Sequence, residues 1–86
     1  MIRVVCDFLC DCGFDGVGFN VYGDSMDVVV DGRISMLIRY DDCKDLVTVC
    51  YGGRFANFSH HCFDISDPEL FAKLKVAVGN ILRVEV

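Results

Sequence analysis

Between Val17 and Tyr51 apolar side chains fall on every second residue, in short runs broken by turn residues. A period of two is the mark of a strand with one face buried, and it cannot be satisfied by a helix. Val17, Phe19 and Val21 make the first run, and Gly23-Asp24 turns the chain. Met26, Val28 and Val30 make the second, followed by Asp31-Gly32, a strong two-residue hairpin signal. Ile34, Met36, Ile38 and Tyr40 make the third, and an acidic loop of Asp41, Asp42, Cys43, Lys44 and Asp45 follows. Val47, Val49 and Tyr51 make the fourth. Such short connections permit only antiparallel neighbours, so the stretch reads as a meander. Gly52-Gly53 then leads into Arg54–Cys62, read as a fifth strand or an irregular edge.

The flanks change period. In residues 2–12, Ile2, Val5, Leu9 and Cys12 recur at three- and four-residue steps, and Gly13 stands where a left-handed helix cap belongs. A strand competes there, because Ile2, Val4, Cys6, Phe8, Cys10 and Cys12 also alternate. The cap favours the helix, with Arg3 and Asp7 spaced to pair on its exposed side. Near the C-terminus, Ser66 and Glu69 have capping-box spacing with Pro68 between them. Leu70, Leu74, Val78, Ile81 and Leu82 supply the stripe of a second helix, and Leu82–Val86 alternates as though the tail ends extended. The predicted fold is α+β in one domain spanning 1–86. It has an N-terminal helix, a four- or five-stranded antiparallel meander and a C-terminal helix, with both helices on one face of the sheet.

Composition narrows the partners. The chain is 53% hydrophobic with a net charge of −5. A domain of 86 residues this apolar has more apolar surface than one small core hides, which favours burial against a partner or a second copy. The acidic balance argues against direct nucleic-acid binding and against anionic membranes. Eleven of the 13 acidic residues are Asp, and most fall at turns or a cap, so local structure accounts for much of the charge. No targeting segment and no membrane-length apolar run is visible, which gives the cytoplasm as the expected compartment.

The sheet's second face is the chief functional candidate. It carries Asn20 and Tyr22, then Asp27, Val29 and Asp31, then Ser35, Leu37 and Arg39, then Leu46, Thr48 and Cys50. A face that met only water would alternate more cleanly. Tyr22, Asp27, Val29, Asp31, Leu37 and Arg39, with Asp41 and Asp42 in the adjoining loop, are the expected partner-binding residues. In size, acidity and lack of a catalytic set the chain resembles the small inhibitors that phages encode, including anti-CRISPR proteins. The resemblance implies a non-enzymatic viral module that occupies a basic, nucleic-acid-binding surface of its target. A structural homodimer through the same face is the alternative.

Six cysteines and the adjacent pair His60-His61 raise the rival chemistries. A disulfide scaffold does not suit an ample core with no export signal. Zinc has one grouping in its favour: Cys6 and Cys10 on the first helix, with His60 and Cys62 on an extended segment. It lacks a C-x-x-C knuckle, and cysteine is often simply a buried apolar residue. A nucleophilic Cys62 would need His60 or His61 as base, although strand neighbours point to opposite faces. Cys43 sits among Asp41, Asp42 and Asp45, a setting in which no nucleophile is expected. No phosphate loop, dinucleotide fingerprint, nucleophile elbow or H-E-x-x-H motif is present, so no cofactor is expected.

Overall fold

The computed structural model describes residues 1–52 and 58–85. Helix α1 (Ile2–Asp11) precedes strands β1 (Val17–Tyr22), β2 (Ser25–Val30), β3 (Arg33–Asp41), β4 (Leu46–Gly52) and β5 (Phe58–Asp64), and helix α2 (Leu70–Glu85) ends the chain. The strands lie in the order β1-β2-β3-β4-β5, every neighbour antiparallel. The meander therefore has five strands. Residues 53–57, within the stretch expected to form the fifth, lie outside the described residues.

One face of this sheet is closed by both helices. Ile2, Val5 and Leu9 of α1 and Leu74, Val78, Ile81 and Leu82 of α2 form one core with Met26, Val28, Met36, Ile38, Val47 and Val49 of the sheet. Helix α1 touches β1, β2 and β3, while α2 touches β5 and α1. Phe8 of α1 meets Phe71 of α2 with ring centroids 4.9 Å apart. The helical reading of residues 2–12 holds because the three-and-four stripe finds a sheet to bury against. Its stop signal also holds. Gly13 adopts φ +73°, and its N–H bonds the carbonyl of Cys10. The Arg3–Asp7 pair is not formed: the ion pair among the described residues joins Lys73 to Asp67.

Three local expectations are corrected. Ile34 does not join Met36 and Ile38 in the core. Pairing runs Val30↔Arg33 and Val29↔Ile34, then jumps to Val28↔Met36, so β3 carries one extra residue at Ser35. The bulge leaves Ile34 66% exposed on the open face and buries Ser35 to 8% exposure on the closed one. The Ser35 hydroxyl has no hydrogen-bond partner. Second, Ser66 does not cap α2. Its N–H and hydroxyl both bond Asp64 Oδ1, and Asp67 takes the cap by accepting the Glu69 N–H at 2.8 Å. Asp67 is the better placed of the two because Pro68 then falls in the turn leading into α2, where no N–H is needed. Third, the tail stays helical to Glu85, since Ile81 and Leu82 continue the buried stripe.

Candidate interaction surface

Among the described residues, no helix lies on the other face of the sheet. Register fixes its rows. Tyr22, Ser25, Arg39, Thr48 and Cys62 stand side by side across the strands, and the next row runs Asn20, Asp27, Leu37 and Cys50. Val29 and Ile34 pair directly below it. The bulge adds a side chain here that the alternating pattern assigns to the core. Val29, Ile34, Leu37 and Cys50 thereby form a diagonal apolar band, with Leu46 set apart from it beyond the Arg39–Thr48 row. Val29, Leu37, Leu46 and Cys50 are half-buried, while Ile34 and Tyr22 are exposed, Tyr22 at 62%. Flanking polar groups are Asp27, half-buried opposite Leu37, and Arg39, exposed between Ser25 and Thr48.

Of the expected binding residues, the structure gathers Tyr22, Asp27, Val29, Leu37 and Arg39 on this face. Asp31 departs from it: with φ 52° it forms the β2–β3 turn with Gly32. Asp41 ends β3, opposite Leu46, and Asp42 opens the loop beyond it. Ile34 is the residue that sequence reasoning missed.

Charge is concentrated at one end of the sheet. The β1–β2 turn, the β3–β4 loop and the end of β5 meet there, bringing Asp24, Asp41, Asp42, Asp45 and Asp64 together. The Tyr40 N–H bonds the Asp24 carbonyl at 2.9 Å, and the Ile65 N–H bonds the Asp45 carbonyl at 3.1 Å. The phenol of Tyr40 donates to Asp45 Oδ1, and its pKa is raised by partial burial first and then by Asp45, Asp42 and Asp24. Asp41, Asp42 and Cys43 come close enough to share a ligand, but Asp41 Oδ1 already accepts the N–H groups of Cys43 and Lys44. That arrangement is a turn-forming carboxylate, as expected of Asp in a loop.

The cysteine and histidine chemistry disperses. Cys6 and Cys10 stand one turn apart on α1, within hydrogen-bonding reach of each other. The Cys6 thiol is pushed up by burial first and then by Cys10 and Asp7, which keeps it protonated. Cys62 lies on the open face, its Sγ 3.7 Å from Thr48 Oγ1, with the whole sheet between it and α1. The Cys6, Cys10, Cys62 part of the zinc grouping is therefore not brought together, and the His60 side chain lies outside what is described. His61 points the opposite way from Cys62. Its ring stacks on Tyr51 at 5.5 Å, and Nε2 is 3.1 Å from the Tyr51 hydroxyl. Adjacent placement on a strand thus separates Cys62 from the base it would need.

A cleft of about 490 Å³ opens beside the sheet's other end, lined by Phe14, Val17, Val30, Gly79 and Leu82 with Asp15 and Arg83. Its lining is mostly apolar, and no nucleophile or metal-ligand set lines it among the described residues.

No family model, curated protein or solved structure matches the chain.

Proposed function

We propose that this chain is a small interaction module that binds a protein partner through the open face of its sheet, without catalysis. The observation that carries the reading is Ile34. A bulge places an exposed isoleucine beside Val29 and Leu37 on the one face that neither helix covers. An apolar band with a polar and charged surround has the anatomy of a protein interface. The acidic end formed by Asp24, Asp41, Asp42, Asp45 and Asp64 favours a basic partner surface, in keeping with the net charge of −5. An inhibitor that occupies a basic, nucleic-acid-binding groove, of the type phages direct at host defences, fits this chemistry, and the cytoplasm fits its cysteines.

The test is affinity capture from the native host with four baits. Wild type and Val4→Lys, which alters a 54% exposed residue on α1, should retain the same partner. Leu37→Lys and Asp27→Lys should lose it by tenfold or more, and added salt should weaken the wild-type capture. A partner held equally by all four baits contradicts the reading.

A further inference from the structure

Strand β1 stands at the end of the strand order and forms a free edge of the sheet among the described residues. Strand β1, Val17–Tyr22, carries no charged residue, no proline and no bulge, the usual devices that protect a free edge. Its inward side chains Val17, Phe19 and Val21 are half-buried, whereas Val28 and Met26, opposite Phe19 and Val21 on β2, are fully buried. Helix α1 touches β1 as well as β2 and β3, yet these three side chains keep part of their surface at the edge. The backbone direction follows from the neighbouring ladder. The Asp24 carbonyl is turned toward β3, where it accepts the Tyr40 N–H. Ser25, next along, faces β1 and closes the two-residue turn with Tyr22. Alternation then aims the N–H and C=O groups of Val17, Phe19 and Val21 at the free edge.

We infer that two chains pair antiparallel through β1, with Phe19 opposite Phe19 on the two-fold axis and Val17 opposite Val21. This is the register in which all three outward-facing residues bond across the edge. Each inward contact is then aromatic on aromatic or β-branched on β-branched, the favoured cross-strand pairs. On the open side Gly18 faces Asn20, so nothing charged meets anything. The two sheets fuse into one of ten strands, and the open faces become continuous. Unlike a contact with a basic partner, this association joins two chains of net charge −5, so salt strengthens it.

Sedimentation equilibrium on the purified chain tests the inference without any partner. Wild type should reach twice its 9.6 kDa chain mass, and more readily as salt rises. The double substitution Gly18→Lys with Asn20→Lys places like charges directly opposite across the axis twice, and should give a monomer. Gly18→Glu with Asn20→Lys places opposite charges there and should restore the dimer. A side chain at Gly18 meets only the Val29 carbonyl, at 3.9 Å, and a lysine at position 20 lies opposite Asp27, so both variants fold. Leu37→Lys, in the middle of the open face, should leave the dimer intact. A wild-type monomer at millimolar concentration overturns the inference. So does a dimer indifferent to the paired lysines, or one dissolved by Leu37→Lys, which would place the contact on the open face instead. Neither result depends on whether a basic partner exists.

Discussion

The two faces of this sheet are built from the same strands and differ in what the helices ask of them. On the closed face Met26, Val28, Ile38, Val47 and Val49 are fully buried against two helical stripes. On the open face Val29, Leu37, Leu46 and Cys50 are only half-buried. The closed face accounts for stability. The open face also retains apolar side chains, and the bulge at Ser35 adds Ile34 to them while placing an unpartnered hydroxyl in the core. On the proposed function, the bulge gives up some core quality for a larger contact surface on the open face.

The contrast breaks most visibly through paired truncations on β3. Ile38→Ala should cost about 2–5 kcal/mol, as for a fully buried aliphatic residue. Leu37→Ala, its neighbour on the other face, should cost less than about 1 kcal/mol. Chemical denaturation of the two variants measures the difference, and equal losses would show that the open face contributes to the core. Ser35→Ala should stabilise the chain by about 1 kcal/mol, because it removes a buried hydroxyl that makes no hydrogen bond. Loss of stability in that variant would mean that the hydroxyl is satisfied after all.

The smallest effect lies where β5 hands the chain to α2. The Lys73 ammonium and then the Glu69 N–H hold the Asp67 carboxyl below its ordinary value, and Asp67 in turn raises Lys73. A depressed carboxyl stabilises the fold above its unfolded value, near pH 4, and the gain is lost as pH falls through the lower folded value. Asp67→Asn keeps an oxygen for the cap and loses the ion pair. Its melting temperature should fall slightly below wild type at pH 7 and converge with it in strong acid. A constant difference across that range would assign the effect to the cap alone.

Much of this architecture is legible in the sequence, because the two periods do not overlap. Met26, Val28 and Val47 can share a face only as strands, and Leu70, Leu74 and Val78 only as a helix. The bulge was legible too, through a conflict. The two-residue turn Asp31-Gly32 closes on Val30 and Arg33, and counting outward from it puts Ile34 on the face of Val29. The apolar run puts Ile34 with Met36. One extra residue reconciles turn and pattern, and Ser35, the small polar residue between them, is where it falls. The capping of α2 was misread because Ser66 and Asp67 are both good caps, and the Asp64 carboxylate claims Ser66 first. The cysteines could not be sorted from spacing alone. Cys62 and Cys6 are separated by the thickness of the sheet, a distance set by which face each strand residue takes.

The central claim is that the open face, and not the helical one, meets the partner. Methyl resonances of the labelled protein, followed as the captured partner is added, test it most directly. The account predicts that Val29, Ile34 and Leu37 shift or broaden while Leu74 and Val78 stay in place. Shifts confined to α1 and α2, with Ile34 and Leu37 unmoved, would contradict it.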